Sequence, residues 1–376
     1  MTTEHKKQVR RLDLIRGTLV LTLILYIVVA LVMNSSYLTV DRLMRLRADI
    51  ASALSNRGSS VTSLAADDTV EVVLFQDGFA VLSRNGLSIR SDTGVEYSSH
   101  VLQFKQPCIK VSGSYLLCFD RGGTEWCLFN SFRRLCSGSE SGDIINGSVS
   151  SEGYVAIASE RDSAKGCVTV YNEDGLALTR WNSEYYLLDN FFSGKNRLIV
   201  VSLASAREKT DTVFTVFNYK SGEVLSSIAA EDVFPLAMSM KENGSLELLT
   251  SAGAVSFNGD TGCLIYNHPE PSPGVYCQGE SASLIAYQTL SGAVWVQAFG
   301  EDGSLLFGAE YPSVLSLACY ADRFFVLTPT DLFVLDSSGT VLYRRAAMAA
   351  RVLASPEISL LLTSSSVEVL DLSEIP

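Results

Sequence analysis

The feature that most constrains the fold of this chain is a short polar turn that recurs along residues 67–376. Successive copies are separated by roughly 35 to 46 residues, about the length of one four-stranded blade of a β-propeller. Gly adopts a positive φ without strain, and Asn and Asp tolerate it, so these residues suit tight turns between antiparallel strands. Complete copies lie at 91–94, 172–175, 218–222, 258–262, 300–303 and 336–339, and weaker copies lie at 130–133 and 371–373.

Short apolar runs of strand length separate these turns. In residues 142–183, for example, we expect strands at 153–159, 166–171 and 176–181, with the turn 172–175 joining the last two. A single sheet of this kind cannot bury both of its faces, so we expect the sheets to pack face to face around an axis. The sequence therefore predicts an all-β fold, a β-propeller of eight four-stranded blades. Seven blades remain an alternative if one weak unit is something else, and a β-sandwich pair is the main competing architecture.

The eighth unit has only three strands, at 349–355, 358–363 and 367–372. A ring with an open edge strand invites mispairing. We therefore expect a strand within 60–66, at the start of the domain, to complete the last blade.

The N-terminal part of the chain has a different character. Residues 17–40 contain no charged side chain, and this stretch is long enough to cross a bilayer core of about 30 Å as a helix. Five Lys and Arg precede it and three follow it, which favours a cytoplasmic N-terminus. The alternative is a cleaved signal peptide, but the run ends Leu31-Val-Met-Asn-Ser-Ser36, a poor match to a cleavage site. We predict a basic tail at 1–16, a membrane helix at 17–40, a helical stalk at 41–59 and an extracytoplasmic propeller at 60–376.

Charge is unevenly distributed along the chain. Residues 1–50 carry a formal charge of +4 and the remainder carries −16. An acidic domain repels phosphate backbones, so nucleic acid is excluded as a partner. The same charge either attracts cations and basic partners or simply maintains solubility.

No catalytic, cofactor-binding or metal-binding residue is assigned from the sequence. The three histidines, His5, His100 and His268, are interpreted as surface residues. No nucleophile elbow, phosphate-binding loop or zinc-protease motif is present. Acidic turns at 173–174 and 301–302 lack the ligand count that calcium requires. Two Asn-Gly-Ser segments, at 146–148 and 243–245, are interpreted as turns.

Half of the eight cysteines fall in the second unit: Cys108, Cys118, Cys127 and Cys136. A hairpin centred on Gly122-Gly123 places Cys118 opposite Cys127, and one centred on Ser131-Phe132 places Cys127 opposite Cys136. The four thiols then form a row across one face of the blade. Three interpretations remain open: buried thiols between blades, one disulfide, and a four-thiolate zinc site.

The turns 218–222 and 258–262 resemble those of quinoprotein-like and WD-like repeat propellers. Quinoprotein repeats place a Trp shortly after the turn Gly, a position that only Trp181 occupies here, so the resemblance does not extend to quinone binding. The whole layout is similar to the bacterial membrane-anchored propellers grouped as domain of unknown function 5711. That resemblance implies a location in the envelope of a Gram-positive-like bacterium and implies no activity.

These observations lead to three functional hypotheses. The first is a binding or scaffolding module that is held at the membrane by residues 17–40 and engages an envelope protein or polymer. The second is a propeller hydrolase, lyase or oxidoreductase with its site at the channel mouth. The third is a sensor that signals ligand binding through its anchor. No cofactor is implied, and the oligomeric state stays open.

Overall fold

Strands form throughout the region after residue 60, where apolar runs alternate with Gly and Asx turns. In the computed structural model of the protein, the described residues include Thr22, Met44, Arg45 and Arg47 from the N-terminal part. The others are 61–64, 70–194, 196–206, 209–231, 233–241, 243–250, 253–257, 262–267, 274–279, 281–356 and 358–370. Within them, 32 strands form eight antiparallel four-stranded sheets. First strands of neighbouring sheets contact one another around most of the ring, and the sheets are the blades of a propeller.

Blades 1 to 4 each consist of four strands that are consecutive in the chain. Blade 1 is β2 (Glu71–Phe75), β3 (Gly78–Ser83), β4 (Gly86–Ser91) and β5 (Glu96–Val101). Blade 2 is β6 (Pro107–Ser112), β7 (Tyr115–Asp120), β8 (Glu125–Phe129) and β9 (Arg134–Ser139). Blade 3 is β10 (Ile144–Val149), β11 (Val155–Arg161), β12 (Ala164–Tyr171) and β13 (Ala177–Ser183). Blade 4 is β14 (Tyr186–Ser193), β15 (Arg197–Ala206), β16 (Lys209–Asn218) and β17 (Val224–Ala230).

Blades 5 to 7 follow the same order, and blade 8 differs in the origin of one strand. Blade 5 is β18 (Ala237–Met240), β19 (Leu246–Leu249), β20 (Gly253–Phe257) and β21 (Gly262–Asn267). Blade 6 is β22 (Val275–Gln278), β23 (Ala282–Gln288), β24 (Val294–Gly300) and β25 (Leu305–Tyr311). Blade 7 is β26 (Ser316–Tyr320), β27 (Arg323–Leu327), β28 (Asp331–Leu335) and β29 (Val341–Ala346). Blade 8 is β30 (Arg351–Ala354), β31 (Ser359–Leu362), β32 (Ser366–Leu370) and β1 (Val61–Ser63).

The first strand of the domain closes the ring, as the sequence predicts. Val61, Thr62 and Ser63 pair with Glu368, Val367 and Ser366 of β32. One further backbone hydrogen bond extends the pairing, from the Leu64 N–H to the Ser365 carbonyl at 2.7 Å. The last blade is thus completed by the beginning of the domain, which leaves no unfilled fourth position at the seam.

The recurring turns join the third and fourth strands of their blades. Their final glycines at 94, 175, 222, 303 and 339 have φ between 77° and 80°, the conformation that favours Gly. A register shift adjoins the turn in blades 1, 2, 3, 4, 6 and 7. Such bulges are typical of hairpins in which a Gly of positive φ follows a tight turn. The predicted turns at 258–262 and 371–373 lie largely or wholly outside the described residues.

Burial is organised by the interfaces between blades. In the described part of the chain the buried apolar side chains form eight clusters, one at each interface, including that between blades 8 and 1. At the seam, Phe79 of blade 1 packs with Leu360 of blade 8, and both are fully buried. Burying one such side chain stabilises the fold by about 1.5–3 kcal/mol, so each interface contributes to holding the ring.

The cysteines of blade 2 divide between its two faces. Cys118 lies opposite Cys127 in register, as predicted, and both face blade 1. The predicted pairing of Cys127 with Cys136 is wrong, because the bulge beside Phe129 moves the register by one and places Cys136 opposite Leu128. A one-residue shift reverses the face of a side chain, and Cys136 packs with Cys108 against blade 3. The seven cysteines that the structure describes are free thiols.

The predicted tail, membrane helix and stalk at 1–59 lie outside the described residues, apart from the four named above, which are helical. Among the residues that are described, no helix has the length and apolar character that a membrane crossing requires.

Candidate functional site

A cleft of about 620 Å³ opens where the first strands of blades 2 to 5 end. We call it the inner cleft. Its walls come from the ends of β6, β10 and β14 and from the turns that follow the first strands. The lining residues are Lys110, Val111, Ser112, Ser148, Val149, Ser150, Ser151, Glu152, Asn190, Phe191, Phe192, Gly194, Tyr219, Met240 and Lys241. Cationic, anionic, amide, hydroxyl and aromatic groups therefore meet in one concave surface.

Part of this wall overturns an interpretation from the sequence. Residues 146–148 lie in strand β10, with a register shift after Ile144, and do not form the predicted turn. Gly147 lies in close packing, since an added Cβ would be 3.1 Å from side-chain atoms of Ile157 and of Leu117 in blade 2. The segment 243–245 is a turn as predicted, with φ of 82° at Gly244.

Two adjacent polar residues of β14 anchor a buried network beside the cleft. The carboxylate of Asp189 accepts a hydrogen bond of 2.8 Å from the Asn190 N–H and lies 3.8 Å from the Lys110 ammonium. The Ser148 hydroxyl donates to the side-chain carbonyl of Asn190. The other end of that amide, Nδ2, is buried and has no hydrogen-bond partner among the described residues. Buried polar groups are nearly always paired, so this donor requires an acceptor that the described residues do not supply.

Burial governs the protonation of the carboxylate in this network. It raises the pKa of Asp189, whereas the neighbouring Lys110 ammonium and the hydrogen bond from the Asn190 N–H act in the opposite direction. The carboxylate thus lies buried behind the cleft wall, where Lys110 and Arg121 are the cations that favour its ionised form.

Aromatic side chains form another wall. The Tyr219 ring packs edge-on against Phe192 at 5.1 Å between centroids, and it lies at the same distance from Tyr154. The Lys220 ammonium lies over the Tyr154 ring at 5.1 Å. Tyr219 is only 3% exposed, and burial raises its pKa to about 12, so its hydroxyl stays neutral at physiological pH. These aromatic groups shape the wall mainly by packing on one another.

Lys241 closes the cleft on the side of blade 5. Its ammonium forms an ion pair of 2.9 Å with Glu247 and donates to the Gly279 carbonyl of blade 6. Glu247 also accepts a hydrogen bond of 2.8 Å from the Ser283 hydroxyl of blade 6. This side of the cleft is therefore tied to the neighbouring blade by charge-assisted contacts.

A second cavity of about 420 Å³ lies between blades 7 and 8. It is lined by Tyr320, Ala321, Asp322, Arg323, Phe325, Asp336, Leu342, Ser355 and Pro356. It has fewer converging polar groups than the inner cleft, which is therefore the stronger candidate for a binding site.

Other residues singled out in the sequence lie elsewhere. The ring of His100 packs on Phe129 at 4.8 Å rather than lying free on the surface, and its pKa is lowered by burial and by Arg134. His5 and His268 lie outside the described residues. No group of three or more His, Cys, Asp or Glu within the described ranges is arranged to hold a metal ion.

Two serine hydroxyls of the inner cleft are engaged in hydrogen bonds within the protein. The Ser148 hydroxyl donates to an amide, and the Ser150 hydroxyl accepts the Glu152 and Tyr154 N–H groups at 3.2 and 3.0 Å. In the described part of the chain, no cleft serine is hydrogen-bonded to a histidine or a carboxylate. Hydroxyl, charged and apolar groups therefore line the inner cleft.

Reasoning from the sequence missed these residues, although one signal was available. β14 reads Tyr-Leu-Leu-Asp-Asn-Phe-Phe-Ser, so Asp189 and Asn190 interrupt an otherwise apolar run in a first strand. Polar residues at such positions face either a neighbouring blade or the channel, and either place requires a partner.

Comparisons with known proteins agree with the fold. Residues 55–235 match a family of unknown function (DUF5711), whereas no curated protein matches the chain. BamB from Moraxella catarrhalis aligns with a TM-score of 0.57 and 11% identity, over 83% of this chain and 98% of that one. The computationally designed protein Ika8 aligns with a TM-score of 0.59 and 13% identity, over 83% and 97%. The C-terminal WD40 domain of Sif2 aligns with a TM-score of 0.56 and 9% identity, over 84% and 99%.

Identities this low establish a shared fold and nothing more, and they confirm the expected likeness to WD-like propellers. The matched segment 55–235 spans the closing strand and blades 1 to 4, which include most of the inner cleft. The resemblance to domain of unknown function 5711 is thus confirmed over residues 55–235 of the eight-bladed propeller.

Proposed function

We propose that this chain is a membrane-anchored, extracytoplasmic binding module, and that the inner cleft holds an extended segment of a partner protein. The observation that carries this proposal is the buried, unpaired amide end of Asn190 in the cleft wall. An unsatisfied buried donor of this kind costs about 1–3 kcal/mol, which a bound acceptor recovers.

An extended peptide meets the demands of the cleft. Its backbone carbonyls provide acceptors for the Asn190 amide and the Ser150 hydroxyl, and its N–H groups provide donors for the Ser148 hydroxyl oxygen. Lys110, whose side chain is 38% exposed, and Glu152 offer charges of both signs to its side chains. The volume of about 620 Å³ lies within the range of about 300–1,000 Å³ that is typical of ligand pockets.

The location is proposed from the sequence. The uncharged run 17–40, the excess of Lys and Arg before it and the likeness to membrane-anchored propellers all support an anchor with the propeller outside the cytoplasm. We expect the full chain to fractionate with membranes and a chain that begins at residue 58 to lose that association. External protease added to intact protoplasts should digest the propeller. Recovery of the full chain in the soluble fraction would overturn the anchor.

Site-specific photo-crosslinking tests the cleft in the full chain. A benzophenone amino acid is placed at Glu152, which is exposed and lines the cleft. The matched control position is Leu305, which is 55% exposed on the fourth strand of blade 6. We expect a discrete protein adduct from position 152 and none from position 305.

The variant Asn190→Ala connects that adduct to the amide. It removes the unpaired group together with one hydrogen bond from Ser148, so we expect the stability to change by less than about 1 kcal/mol while the adduct falls at least fivefold. Equal adducts from positions 152 and 305, or an adduct that survives in Asn190→Ala, would count against the cleft as the binding site.

A further inference from the structure

Two cysteines face each other across the interface between blades 6 and 7. Cys277 lies on β22 and Cys319 lies on β26, the first strands of their blades. Their sulfur atoms are 3.6 Å apart, which is van der Waals contact. A disulfide needs the two sulfurs to approach to about 2.05 Å, so a small movement of both side chains suffices.

The surroundings hold this pair in place. The Cys319 thiol is also 3.4 Å from the Ala282 carbonyl, which is a second acceptor within reach of its single S–H. Gly279 leaves the space that the sulfur occupies, since a Cβ at this position would lie 2.5 Å from Cys319 Sγ. Cys319 is buried, whereas Cys277 is partly exposed and is the one that an external reagent meets first.

Cys277 also differs in its acidity from the four thiols of blade 2. Burial raises the pKa of Cys108, Cys118 and Cys127, and it raises that of Cys136 to about 11. The pKa of Cys277 is lowered, first by the hydrogen bond from Cys319 and further by Lys241, although burial opposes the change. The thiolate is the reactive form of cysteine, so Cys277 is the nucleophile of the pair.

We propose that Cys277 and Cys319 form a reversible disulfide that joins blade 6 to blade 7. The oxidant is a low-molecular-weight disulfide. The Cys277 thiolate attacks one of its sulfurs, forms a mixed disulfide and releases the first thiol. Cys319 then loses its proton and attacks Cys277 Sγ, which releases the second thiol. In sum, two protein thiols and one small disulfide give one protein disulfide and two small thiols. This inference is independent of the proposed peptide binding.

Peptide mapping of the full chain tests the inference. The reduced protein in detergent is treated with oxidised glutathione while folded, its remaining thiols are alkylated after denaturation, and it is digested without reduction. Chymotrypsin is the suitable protease, because trypsin leaves both cysteines in the single peptide 242–323. We expect a linked pair of peptides that contain Cys277 and Cys319, and a reductant should separate them. We also expect the thermal midpoint to rise by about 5 °C, since the bridge spans 42 positions of the unfolded chain.

Three variants serve as controls. Cys277→Ser and Cys319→Ser should each abolish the linked peptides, and Cys136→Ser, whose thiol lies in blade 2, should retain them. The inference fails if Cys277 and Cys319 are recovered alkylated in the wild-type map, or if oxidation joins other cysteines instead. The peptide map of the wild-type protein tests for the Cys277–Cys319 disulfide without depending on how any variant folds.

Discussion

Asp189 and Asn190 are neighbours in β14, and their burial has different consequences. The carboxylate has a cation and a backbone N–H as partners, whereas one end of the amide has none. Because the folded state raises the pKa of Asp189, ionising this group works against folding. The loss of stability from ionising Asp189 is absent at a pH below the ordinary carboxyl range, and it develops as the pH rises through the raised pKa.

The variant Asp189→Asn should therefore stabilise the protein at neutral pH. The amide oxygen can still accept from the Asn190 N–H, and no charge has to be buried. We expect a thermal midpoint above that of the wild type at pH 7.5, with the difference shrinking as the pH falls towards 4. Differential scanning fluorimetry across this range measures it.

The matched control is Asp336→Asn in an exposed turn, where hydrogen bonds from Ser338 lower the carboxyl pKa. Ionisation of Asp336 therefore favours folding, whereas ionisation of Asp189 opposes it, because the folded state favours the ionised form of Asp336. This variant should show no gain at pH 7.5. An equal gain in both variants would show that net charge, and not burial at position 189, is responsible.

Between elements, two tryptophans cover glycines on neighbouring strands. An added Cβ on Gly138 of β9 would lie 2.5 Å from the Trp126 ring of β8, and one on Gly308 of β25 would lie 2.9 Å from the Trp295 ring of β24. Both tryptophans come from third strands and both glycines from fourth strands. The glycine accommodates an aromatic ring in the hairpin, a role that the turn glycines do not have.

We expect Gly138→Ala to destabilise the protein by about 2 kcal/mol. The Trp126 ring is fully buried and cannot move aside without displacing its neighbours. Gly274→Ala is the control, since among the described residues its Cβ would meet only the Ala286 carbonyl, at 3.9 Å. Urea denaturation of both variants gives the free energies of unfolding, and similar values for the two would contradict this role for Gly138.

The sequence predicted the elements better than their register. Turn residues identified the hairpins between third and fourth strands because positive φ restricts which residues fit. The bulge beside the turn carries no comparable signal, so counting from the turn at 130–133 placed Cys136 on the wrong face. The turn predicted at Asn146-Gly-Ser148 was wrong for a related reason. Gly147 packs closely against a side chain of a neighbouring blade and does not form a turn. Both errors concern packing that local propensity does not encode.

At the scale of the whole molecule, closure depends on a short pairing of β1 with β32. We expect Leu64→Pro to lower the thermal midpoint by several degrees, because it removes the N–H that donates to the Ser365 carbonyl. Ser63→Pro is the control, since antiparallel pairing alternates and the N–H at 63 points away from β32. Hydrogen exchange should show faster exchange at the seam of blades 8 and 1 in the first variant only. Equal effects in the two variants would mean that this hydrogen bond is not what holds the seam.

The number of blades and the manner of closure were predictable because each repeat carries its own turn signal. The inner cleft was not, because its residues come from four blades and lie more than 100 positions apart in the chain, from Lys110 to Lys241. Each repeat looks alike in the sequence, whereas the cleft depends on the few positions at which the repeats differ. Only the ring brings Lys110, Ser148, Asn190 and Lys241 together.

The pairing of β1 with β32 has a mechanical consequence. A pull on the chain from the N-terminal side reaches the propeller at Val61, and three paired residues together with one flanking hydrogen bond bear it first. Blades 2 to 5 are not neighbours of blade 8, so the tension would unzip the seam before it deformed the cleft. Under such a pull we expect β1 to separate from β32 while the remaining blades keep their pairing.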